Sequence, residues 1–210
     1  MTSTRRVAPG FWLNLPDGWL PLEPGSERIP DQVQRLVELR AQADPRVAEH
    51  RGQVEQQLRA ALKEARAKEL SFGAILATFT GDGRPITASL ALTRHRSPGG
   101  ADAHRILAEL GNQRDKKNTL IELPYVGTVV RSEYLDRTPV ELPAGKGRPA
   151  SVLAEIAVFQ YFLPMPGGSD VVVATGATPT LPMREVFGSL FDAILTTFQF
   201  VEDDPVAGPA

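Results

Sequence analysis

The segment from Ser151 to Leu163 constrains this chain more than any other. Its side chains alternate with a period of two, so they divide between the two faces of an extended strand. Val152, Ala154, Ile156, Val158 and Phe162 fall on one face; Leu153, Ala157, Phe159, Tyr161 and Leu163 fall on the other. A strand with one solvated face alternates apolar with polar residues, so a strand apolar on both faces is covered on both. The segment therefore predicts a central strand with a layer packed on each side. Glu155 is the exception within it. A carboxylate among apolar neighbours needs a partner, a shifted pKa or access to an edge. An ion-pair partner is expected, and Glu155→Gln is expected to cost about 1–3 kcal/mol if that pair is buried.

The rest of the chain supplies neighbours for such a strand. Phe11 to Leu15 alternates with Phe11, Leu13 and Leu15 on one face, and Pro16-Asp17-Gly18 turns the chain into Trp19 to Leu22. Phe72 to Thr80 and Ile86 to Thr93 read as strands joined by the turn Gly81-Asp82-Gly83-Arg84-Pro85. Thr119 to Leu123 and Val126 to Tyr134 follow, then a polar loop around Gly145-Lys146-Gly147, and Asp170 to Thr175 closes the series. Strands joined mostly by short turns cannot be parallel, because parallel pairs need crossovers of a dozen residues or more. An antiparallel sheet of six or seven strands is expected.

Helices are predicted in three places. Residues 31–69 are expected to form a long helical segment, with Asp44-Pro45 as an N-cap inside it and Val47, Val54, Leu58, Ala61, Leu62 and Ala65 on one stripe. Ala101 to Leu110 is a short helix ended by Gly111-Asn112. Met183, Val186, Phe187, Leu190, Phe191, Ile194, Leu195 and Phe198 recur at helical spacing after Pro182 and give a broad aromatic face. The fold class expected is α+β: one domain over residues 10–200, with helices on both faces of the sheet in an α/β/α sandwich. Residues 1–9 and 201–210 are expected to be a disordered start and a flexible tail.

Arg5 and Arg6 are not followed by the apolar stretch of a secretory signal, and no run approaches the roughly 18 apolar residues of a membrane span. A cytoplasmic chain without a membrane span is expected. Lys and Arg total 23 against 25 Asp and Glu, a net charge of −2, so nucleic acid is not an expected partner. Arginine in excess of lysine, with abundant alanine, is the composition of a high-GC bacterial genome such as an actinobacterium's.

The order of these elements resembles a known family. Leu15-Pro16-Asp17-Gly18-Trp19 matches an N-terminal Pro-x-Gly-Trp element, and Phe191-Asp192-Ala193-Ile194-Leu195-Thr196-Thr197-Phe198 matches a Phe-Asp-x-Ile-x-x-x-Phe phrase in a C-terminal amphipathic helix. Over roughly Phe11 to Phe198 the chain resembles the α/β/α sandwich of the PsbP-like superfamily. That superfamily includes the photosystem II extrinsic subunit, a Ran-binding protein, the actinobacterial LpqN-like lipoproteins and DcrB-like secretion chaperones. The Asp31–Glu69 helical segment and the missing lipoprotein leader depart from its smaller members. The resemblance implies a binding role as partner, chaperone or assembly factor, and it carries no shared catalytic motif.

The residues themselves offer little catalytic chemistry. The chain has no cysteine, which removes disulfides, thiolate metal sites and a Cys nucleophile. Gly-x-Ser-x-Gly is absent; Gly167-Gly168-Ser169-Asp170 reads as a turn. Ala144-Gly145-Lys146-Gly147-Arg148 lacks the upstream glycine of a phosphate loop, where Val140 stands, and no Ser or Thr follows Lys146. Gly81 and Gly83 lack the third glycine and following helix of a dinucleotide site. His50 falls beside an apolar helix stripe, His95 in the Arg94-His95-Arg96 cluster, and Asp102 with His104 near a helix start without a third ligand. No catalytic residue, cofactor or metal is expected.

What remains is surface binding. Trp12 and Trp19 flank the first turn, Tyr161 and Phe162 end the central strand, and Arg131 and Glu133 share one face of a neighbouring strand. These six are the candidate contacts for a protein partner. The leading expectation is a non-enzymatic cytoplasmic adaptor or assembly or secretion-associated factor. The alternatives are a DcrB-like chaperone shielding an apolar segment of a secreted partner, and a small enzyme joining His95 or His104 to a carboxylate in a loop pocket.

Overall fold

A computed structural model of the chain describes residues 3–7, 10–22, 33–34, 37–38, 41, 51–52, 55, 59, 70–80, 85–96, 102–111, 113, 115–141, 151–167 and 169–201. The expected turn at 81–84, the basic loop at 145–147 and most of the helical stretch 45–69, His50 included, lie outside the described residues.

Ten strands and two complete helices run through the described chain. The strands are β1 (Ser3–Val7), β2 (Phe11–Leu15), β3 (Trp19–Leu22), β4 (Phe72–Phe79), β5 (Pro85–Arg96), β6 (Lys117–Leu123), β7 (Gly127–Glu141), β8 (Ser151–Pro164), β9 (Asp170–Thr178) and β10 (Gln199–Phe200). The helices are α1 (Ala103–Leu110), between β5 and β6, and α2 (Arg184–Leu195), entered through a 3-10 turn at Leu181–Met183. Val33, Gln34, Val37, Glu38 and Ala41 are also helical, as are Arg51, Gly52, Glu55 and Arg59.

Seven strands form one antiparallel sheet in the order β3-β4-β5-β9-β8-β7-β6. The α+β class and a sheet of seven strands are as expected, but Phe11–Leu15, read as one of its strands, lies in a second sheet. Hairpins account for the neighbours β4 and β5, β6 and β7, β7 and β8, and β8 and β9. The long return of β9 beside β5 places β8 inside the sheet. The remaining strands form a small sheet in the order β1-β2-β10.

Successive residues on a strand divide between different clusters, as a pleated backbone requires. Val129, Tyr161, Leu163, Val172 and Ala174 belong to the main core with Phe187, Phe191, Ile194 and Leu195 of α2. Their chain neighbours Val130, Phe162, Val171 and Val173 pack with Ala103 and Ile106 of α1. Leu20, Leu22 and Ile75 pack with the helical Val33 and Val37.

Three expectations give way. Ser3–Val7, expected to be disordered, pairs with the whole of β2 from Ser3↔Leu15 to Val7↔Phe11. The edge of β2 away from β10 needs backbone partners, and an edge strand tolerates the two arginines of this segment. The last helix stops at Leu195 rather than running to Phe198. The Thr196 hydroxyl bonds to the Ala193 carbonyl and the Thr197 hydroxyl to that of Ile194, each at 2.7 Å, and the chain leaves as β10 with Phe198 still buried. Finally, β8 is central in the sheet over only part of its length. β7 pairs with it from Val130↔Phe162 to Glu141↔Ser151, whereas β9 reaches only from Pro164 to Ala157. Leu153, in the part that β9 does not reach, is 69% exposed.

Candidate functional site

The structure brings three of the six candidate residues together and separates the others. Arg131 and Glu133 lie on β7, and Tyr161 on β8 is paired opposite Arg131. Above them α2 presents Asp192 and Arg184. Arg131 Nε donates to Asp192 Oδ1 at 2.9 Å, its Nη1 to Glu133 Oε2 at 2.9 Å, and the Tyr161 hydroxyl to Asp192 Oδ1 at 2.6 Å. Arg184 closes the chain of charges, with Nη2 2.6 Å and Nε 2.9 Å from Glu133 Oε1.

Burial sets the electrostatics of this network. Burial opposes the charge on Arg131, yet the bonds to Glu133 and Tyr161 and the nearby Asp192 outweigh it and raise the guanidinium pKa. Burial also works against the Glu133 carboxylate, but its two arginines prevail and hold it below the usual carboxylate range. The Tyr161 phenol is pushed up, first by burial and then by its bond to Asp192. The Arg131 guanidinium also lies 5.4 Å from the centre of the Phe159 ring. Every charge here has an internal partner, so the arrangement fastens α2 to the sheet.

Two of the six candidates are core residues. Trp19 is buried and meets Phe191 edge-on, with ring centroids 6.0 Å apart. Tyr161 is fully buried. Both side chains lie inside the fold, where large rings bury the most apolar area, and neither reaches a partner directly. Phe162 is half-buried in the α1 cluster, and Trp12 is half-buried on β2.

A cleft lies on the sheet among the described residues. Its floor follows the strand register. One row runs Ile75, Ser89, Ala177, Val158 and Tyr134 across β4, β5, β9, β8 and β7; the next runs Gly73, Ala91, Thr175 and Gln160. Five strands at about 4.8 Å spacing make this floor roughly 19 Å wide. Small side chains of β5 and β9, Ser89, Ala91, Thr175 and Ala177, line the cleft beside the larger Ile75, Tyr134, Val158 and Gln160. Its volume is about 680 Å³, within the range of small-molecule and segment-binding pockets. Most of its lining among the described residues is neutral, and burial with the nearby Asp136 charge raises the Tyr134 phenol. A second, more polar hollow of about 740 Å³ lies beside β6 and β7, where Lys116, Lys117, Arg137 and Arg184 alternate with Asp115 and Glu133.

The histidines do not assemble with carboxylates among the described residues. His95 Nε2 lies 2.8 Å from the Thr93 hydroxyl at the margin of the cleft. His104 is exposed on α1, and Asp102 caps that helix by accepting from the Arg105 N–H at 3.1 Å. No group of three or more His, Asp or Glu among the described residues could hold a metal ion.

Sequence reasoning missed Asp192 and Arg184, although Asp192 stands in the phrase quoted above. Its signal is an acidic residue beside Phe191 at the margin of the apolar stripe. The cleft had a fainter signal, the run of small residues on one face of β5 and β9.

No protein-family model matches the chain, and no curated protein does. Among solved structures the chain is similar to that of LpqN, involved in cell envelope biogenesis of Mycobacterium tuberculosis. The identity is 13% and the TM-score 0.43, over 96% of this chain and 91% of that one.

Proposed function

We propose that this is a cytoplasmic, non-enzymatic binding protein, an adaptor or an assembly or secretion-associated factor, that holds a segment of a partner protein in the sheet cleft. The cleft itself carries the reading. Its floor is built from small and apolar residues with hydroxyl and amide groups from Ser89, Thr175 and Gln160. Such a surface gains from burying apolar side chains and offers hydrogen bonds to a peptide backbone. The clusters formed by α1, by α2 and by Val33 with Val37 support a layered arrangement with helices on both sheet faces, as in the PsbP-like sandwich, and the cleft would lie between helical patches. The same apolar floor favours a chaperone role, in which the bound segment is one that would otherwise be exposed.

A photo-crosslinking residue in place of Ser89, introduced into the full chain in its native host, tests this. The expected result is a covalent adduct with one partner protein, lost when Ala177→Trp fills the cleft without lowering the melting temperature. Absence of any protein adduct, or an adduct that survives filling, rejects the reading.

A further inference from the structure

We infer that the partner segment is held as an added β-strand, hydrogen-bonded to the outer edge of β8 at Ser151–Ile156 in the line beyond the end of β9; this rests on the protein-binding reading above. Residues 151–156 of β8 pair with 141–136 of β7 on one side, while β9 covers only 157–164 on the other. In an antiparallel strand alternate residues direct both backbone groups to the same neighbour. The six-residue edge therefore turns about three N–H and three C=O groups toward the gap.

The two walls of the gap differ. β9 ends at Thr178 and Pro179 follows. The Thr178 hydroxyl donates to the Thr87 carbonyl at 2.7 Å, and Thr180 Oγ1 accepts from the Thr87 N–H at 3.5 Å, so side chains stand in for the missing strand on the β5 side. Along Ser151–Ile156, the described Glu155 side chain bonds to Arg137 rather than to this edge. Edge strands are usually blunted by Lys, Pro or a bulge. This segment reads Ser-Val-Leu-Ala-Glu-Ile, with neither Lys nor Pro, and its pairing with β7 is unbroken.

The geometry also states the partner's chemistry. Backbone groups in a strand register select an extended segment of five or six residues. Ile156 lines the cleft, so alternate side chains of the added strand on that face are apolar. The opposite face carries Leu153 and Glu155. Arg137 Nε bonds Glu155 Oε1 at 2.9 Å, and the second carboxylate oxygen favours a Lys or Arg on the incoming strand.

The test uses the full chain and the blocked peptide Thr-Val-Lys-Val-Thr-Val as probe, read by amide hydrogen exchange. Saturating probe is expected to slow exchange in the 151–156 segment at least about tenfold, and Leu153→Lys, at an exposed position, is expected to abolish this while Leu153→Val preserves it. Unchanged exchange at 151–156 overturns strand addition, as does protection of that segment by self-association without the probe. If the Ser89 adduct persists in either case, the cleft reading stands and only the binding mode fails; if the adduct is also missing, both fall.

Discussion

At Gly176 of β9 and Gly188 of α2, a missing side chain sets the distance between helix and sheet. A Cβ added at Gly176 would lie 2.7 Å from the Phe191 ring, and one at Gly188 would lie 2.9 Å from Phe159. Both rings are enclosed, so neither can move aside cheaply. Gly176→Ala is expected to cost about 1–3 kcal/mol, measured by urea unfolding. Glu155 behaves in the opposite way. The partner expected from its apolar surroundings is present as Arg137, but the side chains are 39% and 69% exposed because β9 stops short of them. Glu155→Gln is therefore expected to shift stability by less than about 0.5 kcal/mol, well below the value for a buried pair, and a loss above 1 kcal/mol in the same urea assay would contradict it. The need for a partner was legible from residue types. The exposure was not, because it depends on where another strand ends.

Among the elements, α2 shows most clearly which information was local. Its apolar stripe was readable at helical spacing, and the same residues form the core contacts. The polar side of the attachment was hidden, because Arg131 and Asp192 are 61 positions apart and meet only through the register of β7 under the helix. Tyr161→Phe removes the short bond to Asp192 and is expected to cost about 1–2 kcal/mol, with the helix retained in circular dichroism. Glu133 gives a pH signature. Its folded pKa lies below the unfolded one, so its contribution is complete above the ordinary carboxylate range and is lost as pH falls through its depressed value. Urea midpoints measured from pH 7 down to pH 3 are expected to fall at the acid end, and less steeply in Glu133→Gln.

Across the whole molecule, the two sheets share one interior. Phe11, Leu13 and Leu15 of the small sheet belong to the same cluster as Leu90, Phe159 and Val172 of the large one, joined through Phe198 and α2. Phe11 stacks on Phe198 at 5.2 Å, and Phe198 meets Phe200 edge-on at 5.0 Å. Calorimetric unfolding is expected to be a single transition with agreement between calorimetric and van't Hoff enthalpies; two separated transitions would show that the sheets fold apart. The antiparallel class and the size of the main sheet followed from alternation and short turns, whereas the separate sheet of β1, β2 and β10 did not. The position of β9 between β5 and β8 did not, because a long-range pairing leaves no mark in local pattern. Trp19 has a practical consequence. Its indole is enclosed beside Phe191, whereas Trp12 is half-buried on the small sheet, and the chain has no third tryptophan. Intrinsic fluorescence thus separates into a shielded emitter and a quencher-accessible one, and the shielded one reports from inside the protein whenever the packing under α2 loosens.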